Sequence, residues 1–264
     1  MLSEIKERLP GHPWREKIQY FDCLDSTNTY AKSLAAEGAP EGTVVIAKQQ
    51  TGGRGRLGRS FSSPAGLGLY LSVILRPRCQ PQHIMHLTCA AGVAAMKAVE
   101  AASGIKPDIK WTNDLVLGKR KLGGILTEMS IDPATGLVDY AIVGIGINCR
   151  QTEADFPPEI RSIATSLALA GNGVGTLVLA AALIDALYQM NDGLLTRKEE
   201  MMVLFTRRCV TIGSEISILR GDEVRHGKAI GVDGDGGLQV VFPDGKRETI
   251  TSGEVSIRGM YGYL

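Results

Sequence analysis

A chain of 264 residues can bury a full core, as one large domain or as a large and a small one. Its 29 Lys and Arg against 28 Asp and Glu exclude a broad electrostatic grip on nucleic acid or an anionic membrane, so any basic site must be local. Cys23, Cys79, Cys89, Cys149 and Cys209 are scattered without a CxxC pair, which suggests neither a disulfide framework nor a structural zinc. The opening MLSEIKERLPGHPW is charged and lacks the apolar core of a signal peptide, and no apolar run approaches bilayer length. The expectation is a soluble, cytoplasmic protein without membrane partners.

Taken in chain order, residues 18–21 (IQYF) read as a short strand. The cluster DCLDSTN follows, where Ser26, Thr27 or Asn28 can cap a helix over 29–37 or face a small polar ligand. Residues 43–48 (TVVIAK) and 67–75 (LGLYLSVIL) are strand candidates that enclose QQTGGRGRLGRSF at 49–61. Its glycines permit close approach to a ligand, and its arginines offer charged forks suited to phosphate or carboxylate. A mobile turn with solvated charges, or an RGG-like nucleic-acid segment, is the alternative reading of such a loop taken alone. From Pro81, the spacing of Ile84, Leu87, Ala91, Ala95 and Ala98 predicts a helix packed on a sheet. His83 and His86 lie three apart there, but no third metal ligand is evident.

Residues 108–111 form a strand candidate, and 115–129 (LVLGKRKLGGILTEM) a hairpin turning near Gly118. Residues 140–148 (YAIVGIGIN) read as a strand in which Gly144 and Gly146 mark a bulge, tight packing or a ligand on the backbone. The pattern from 157 to about 208 is helical, clearest in the stripe Leu179, Leu183, Leu187, Met190. After about Thr211, short β runs alternate with turn signals at 220–222, 233–237 and 243–245, which predicts a small all-β unit. The predicted domains are 1–210 and 211–264.

GRGRLGR (53–59), KWTNDL (110–115), KLGGIL (121–126) and GIGIN (144–148), with DSTN (25–28), occur in order. Together they resemble the catalytic domain of biotin protein ligases, over about residues 18–150. The resemblance implies an α+β fold: a mixed β-sheet flanked by helices, followed by a small C-terminal SH3-like β-barrel. It implies formation of biotinyl-5′-AMP from biotin and ATP with Mg²⁺, then transfer of biotin to a lysine of a biotin carboxyl carrier protein. Fewer than about twenty residues precede the first strand, too few for a helix-turn-helix, so the chain resembles the ligase-only class and no DNA partner is expected. Pairing into a homodimer is left open. Two positions depart from the family pattern: Thr112 replaces its usual proline, and Phe61 its common tryptophan.

By motif match, the resemblance assigns catalysis to Lys121, Arg56 and Asp114. Biotin is assigned to Ser26, Thr27, Asn28, Gln50, Arg54, Gly55, Arg56, Lys121, Gly124 and Gly146. ATP and the adenylate are assigned to Arg56, Arg59, Phe61, Lys110, Asn113, Lys121 and Asn148. No protein motif supplies metal ligands, so Mg²⁺ is expected to arrive with ATP. The Gly/Arg loop is expected to be disordered without ligand and to close over the adenylate. The rival enzymatic reading is a lipoate or octanoate ligase of the same fold, against which the GRGRLGR and KWTNDL pair discriminates. A sensor or RNA-binding protein is the non-enzymatic rival; near-neutral charge and 5% aromatics speak against RNA.

Overall fold

A computed structural model describes residues 1–220, 223–251 and 253–257. Seven strands form one sheet: β1 (Ile18–Phe21), β2 (Val44–Ala47), β3 (Gly68–Leu75), β4 (Asp108–Lys110), β5 (Asp114–Leu117), β6 (Arg120–Ile131) and β7 (Val138–Asn148). Their order is β1-β2-β3-β7-β6-β5-β4; β1 and β2 are parallel and the remaining pairs antiparallel, so the sheet is mixed. The parallel pair needs a crossover, which α2 (Thr27–Ala36) supplies. The hairpin predicted around Gly118 is β5–β6, where Gly118 takes a left-handed φ of 59°.

The two faces of this sheet are covered differently. On one, Ala31 and Ala35 of α2 pack on Val45, Ile74, Tyr140 and Ile142. On the other lie α3 (Leu87–Ser103) and α4 (Thr176–Gly193), whose apolar stripes bury Leu71, Val73, Val143 and Ile147. Full burial of each such side chain contributes about 1.5–3 kcal/mol. The small alanines of α3 let α4 and α5 (Lys198–Arg208) approach closely. The preceding α1 (Leu2–Glu7) buries Ile5 in the same core.

Two expectations are corrected here. The stretch Pro81–Ser103 is long and apolar enough to cross a bilayer by length and composition, contrary to the sequence reading, yet 72% of that window is buried in the core. It is also not one helix: a 3-10 turn over Pro81–Ile84 precedes α3. Helix does not begin at 157 either. Residues 157–175 are turns and irregular backbone, because Pro157 and Pro158 remove backbone donors and Gly171, Gly173 and Gly175 favour bends.

The second sheet comprises β8 (Glu215–Arg220), β9 (Glu223–Val232), β10 (Leu238–Val241), β11 (Arg247–Ile250) and β12 (Glu254–Ile257). β8 to β11 run as an antiparallel meander and β12 returns to pair with β8, the five-strand arrangement expected of an SH3-like unit. The turn expected at 220–222 lies partly outside the described residues. The connection from α5 into the second sheet docks on β4, where the carbonyl of Ile109 accepts from Val210 N at 2.9 Å.

Candidate active site

The α2 face of the sheet is left bare beyond the end of that helix, and the reason is in the register. Tyr70, Gly146 and Gly124 stand opposite one another across β3, β7 and β6, followed one step along by Ser72, Gly144 and Leu126. Three glycines on this face or beside it are demanded by named neighbours. A Cβ at Gly144 would fall 1.8 Å from Asn28 Oδ1, at Gly146 2.6 Å from Phe61 Cε1, and at Gly123 2.4 Å from the carbonyl oxygen of Gly146. The result is a cavity floored by backbone.

The N-terminus of α2 forms one wall. Ser26 is its N-cap, its hydroxyl accepting from Thr29 N at 3.4 Å. Thr27 N donates to Gln50 Oε1 at 2.8 Å, and Gln50 Nε2 donates to Ser63 Oγ at 2.8 Å. Ser72 Oγ lies 2.6 Å from Asn28 Oδ1 and 2.8 Å from Thr27 Oγ1, while Asn28 Nδ2 donates to Leu126 O and Glu128 Oε2. Ser26, Thr27 and Asn28 are all nearly fully buried.

The Gly/Arg loop borders the cavity and is held by its own backbone hydrogen bonds. Gly55 N donates to Arg59 O at 2.7 Å, and Phe61 N to Gly53 O at 2.8 Å, with a β-bridge between Arg54 and Ser60. Leu57 at its tip is exposed in a left-handed conformation, beside Gly58. Arg54 reaches Glu128 at 3.6 Å, and Lys32 approaches the same carboxylate at 3.9 Å. Arg56 Nη1 donates to Asn113 Oδ1 at 3.0 Å.

The remaining wall is the segment between β4 and β5 together with the start of β6. Lys121 Nζ sits 2.7 Å from an Asp114 carboxylate oxygen. Asp114 stands opposite Gly124 in the β5–β6 register, and a Cβ at Gly124 would lie 3.4 Å from Lys121 Cε and Nζ. A Cβ there would meet the ion pair at ordinary van der Waals distance. The backbone of Lys121 is pinned on both sides: its N donates to Ile163 O, and its carbonyl accepts from Thr165 N. Asn113 is fixed by Asn113 Nδ2 donating to Ile125 O and Ile125 N donating to Asn113 O.

The sequence-predicted residues thus converge. Ser26, Thr27, Asn28, Gln50, Arg54, Gly55, Arg56, Arg59, Phe61, Lys110, Asn113, Asp114, Lys121, Gly124 and Gly146 all line one cavity. Asn148 does not. It is buried beyond the cavity, with Nδ2 donating to Thr165 O and Oδ1 accepting from Gln151 Nε2, so its amide tethers the loop after β7. Gly144, where a ligand on the backbone was one reading, also lines the cavity, and so do Tyr70, Trp111, Gly253 and Val255, which were not anticipated. Tyr70 was legible as the residue across from Gly146 only once register was known; its hydroxyl donates to Pro64 O, and burial raises its pKa. Gly253 and Val255 come from the start of β12 in the second sheet, about 105 residues from the nearest motif, and no local pattern signals that.

A backbone-floored slot with polar groups at one end, and arginines and a Lys–Asp pair at the other, suits an elongated acid joined to an anionic group. That is the layout of an acid-activating ligase. The comparisons agree: residues 20–148 match the Biotin/lipoate A/B protein ligase family, and residues 211–258 match the Biotin protein ligase C terminal domain. The chain is 36% identical over 248 residues to the bifunctional ligase/repressor BirA of Bacillus subtilis, covering 92% of this chain and 75% of that protein. It is 29% identical over 251 residues to the biotin--[acetyl-CoA-carboxylase] ligase of Mycobacterium tuberculosis, covering 93% and 90%. The biotin protein ligase of Aquifex aeolicus, solved with biotin and ATP, superposes with a TM-score of 0.74 at 29% identity, covering 91% of this chain and 98% of that one. The chain belongs to the biotin protein ligase family.

Proposed function

We infer that this protein is an ATP-dependent biotin protein ligase. It joins biotin to the α-phosphate of ATP, then passes biotin to a lysine of a biotin carboxyl carrier protein. The observation that carries the reading is the Lys121–Asp114 pair at one wall of a glycine-floored cavity, beneath arginines from a folded loop.

In the first half-reaction a biotin carboxylate oxygen bonds to the α-phosphorus while the bond to the pyrophosphate bridging oxygen breaks, the electron pair leaving with pyrophosphate. Two anions must meet, so catalysis is chiefly charge compensation and alignment. Arg54 and Arg56 are proposed to lie over biotin and the phosphate, Arg59 toward the triphosphate, and Lys121 on the reacting carboxylate and α-phosphate oxygens. Lys110 and Asn113 are proposed on the phosphate side, and Phe61 against the adenine. At the other end Ser26, Thr27, Asn28 and Gln50 are proposed to serve the ureido ring, with Gly55, Gly124 and Gly146 giving close backbone approach. Among the described residues no three His, Cys, Asp or Glu side chains cluster as a metal site. Mg²⁺ is therefore proposed to enter on the triphosphate oxygens and to neutralise their charge there.

In the second half-reaction the carrier's lysine nitrogen bonds to the acyl carbon, the carbon–oxygen bond to phosphate breaks, and AMP leaves. The amine must be neutral to attack although a free lysine titrates near 10.4. Asp114 is proposed to orient it and accept its proton. The loop over 49–61 would meanwhile exclude water from the anhydride. Residues 1–17 hold α1 and one 3-10 turn, and no DNA contact is proposed for them; a cytoplasmic location completes the proposal, and pairing into a homodimer stays open.

A single-turnover assay with biotin, Mg²⁺ and α-labelled ATP, with and without apo carrier domain, tests it. Adenylate should accumulate and collapse to AMP when carrier is added. Adenylate formed with lipoate or octanoate but not with biotin would move the protein to the lipoate side of the family. No adenylate with any acid would reduce it to a binding protein.

A further inference from the structure

The segment that carries Asn113 and Asp114 is held from behind by the second sheet. Trp111 is buried, and its indole Nε1 donates to Gly236 O at 2.8 Å, in the turn between β9 and β10. Its backbone N donates to Thr211 Oγ1 at 2.9 Å, at the entry to that sheet. The neighbouring Thr112 hydroxyl is 3.6 Å from Cys89 Sγ of α3. Cys89 touches the same turn, because a Cβ added at Gly236 would lie 2.9 Å from its sulfur.

The turn is well determined for this task. Asp233 Oδ1 accepts from Asp235 N at 2.9 Å and Gly237 N at 2.7 Å, and Gly236 N donates to Asp233 O at 3.1 Å. Gly236 has φ of 88°, a left-handed conformation that glycine adopts without strain. At the rim Lys198 pairs with Asp235. On the cavity side, Gly253 O of the second sheet lies 3.5 Å from Arg56 Nη2, and the same guanidinium holds Asn113. The second sheet therefore grips both the root of the segment and the arginine that meets its tip.

We infer that the turn at residues 233–237 is a positioning element for the active site: Gly236 O, through the Trp111 indole, sets where Asn113 and Asp114 stand. This rests on the ligase reading above. Two and three residues separate Trp111 from the groups that face substrate, so displacement of the indole is transmitted with little slack. A displacement on the order of 1 Å in a catalytic group costs about 100-fold in rate. A purely adhesive contact between the sheets would instead affect stability alone.

The test compares Trp111→Phe, which keeps the ring and removes the donor, with Lys198→Ala, which loosens the rim of the same contact. In wild type and both variants, adenylation and transfer rates are measured well below the melting temperature, together with hydrogen exchange of the peptide spanning 110–117. Trp111→Phe is expected to lower kcat for both half-reactions about 10- to 100-fold, with KM for biotin within twofold of wild type, and to speed exchange across 110–117. Lys198→Ala should leave rates and exchange as in wild type. Should Trp111→Phe fold poorly by circular dichroism, Gly236→Ala replaces it, since it displaces the acceptor instead of removing the donor and should give the same pattern. Unchanged kcat and unchanged exchange in a folded variant, with only a lower melting temperature, would overturn the inference. If wild type forms no adenylate the ligase reading fails, and the exchange measurement still decides whether the turn positions the segment.

Discussion

Along β7, residues alternate between two environments that ask opposite things of the chain. Val143 and Ile147 face α3 and α4 and are filled to native packing, whereas Gly144 and Gly146 face the cavity with no side chain at all. The two sets share the same backbone hydrogen bonds, so stability and ligand space are divided by side of sheet within one strand. The packed face gains free energy by excluding water, and the open face preserves volume at the expense of that gain. A strand can do both because its side-chain period is two.

Breaking each face separately should separate rate from stability. The largest effect is expected from Lys121→Ala on the open face. Adenylate formation should fall about 100- to 1,000-fold, while thermal melting changes little because the Lys121–Asp114 pair is partly solvated. Rapid-quench measurement with labelled ATP, beside a melting curve, checks both halves. On the packed face, Ile147→Ala should do the reverse, costing about 2–5 kcal/mol in urea unfolding with kcat per folded molecule unchanged at 25 °C.

Gly146→Ala probes the boundary between the two. Its methyl group would sit 2.6 Å from Phe61 Cε1, so the ring must move and the slot narrows. KM for biotin is expected to rise about 10-fold or more, with little change in melting; an unaltered KM would mean that biotin does not lie over this strand.

The smallest effect concerns pH and the packed side. His86, fully buried at the start of α3, is pushed to a lower pKa by burial, with Lys198 adding to the effect. Nε2 faces Leu194 O, and Nδ1 has no hydrogen-bond partner. A histidine whose folded pKa is lowered takes up a proton more readily when unfolded. The unfolded state is therefore favoured as pH falls below about 6.5, and the effect is absent well above it. Urea midpoints between pH 7.5 and 5.5 should drop on acidification, by less than one proton's slope, and His86→Asn should flatten part of that dependence.

The strands, the β5–β6 hairpin and the second sheet were legible because their signals are local: alternation, β-branched runs, and Gly or Asp turns. The turns over 157–175 were misread because helical spacing of scattered apolar residues is weak evidence beside two prolines and three glycines. The candidate site was legible where motifs carry the chemistry, in Arg54, Arg56, Asp114 and Lys121. Asn148 stands apart from the cavity, and its place at the end of a glycine-rich strand says nothing about which way its amide turns. Packing of the loop after β7 settles that, through Thr165 and Gln151.

The sequence by itself determined the chemical inventory of this protein: a Gly/Arg loop between strands, a lysine and an aspartate on one hairpin, and a polar helix cap. Those properties depend on residue type and near neighbours. Only the tertiary structure decided that Gly144 is required by Asn28, that Gly124 stands opposite Asp114, and that Trp111 is held by a carbonyl 125 residues away. Such pairings join segments whose separation in sequence leaves no periodic trace, and register and packing fix them only when the whole chain is folded.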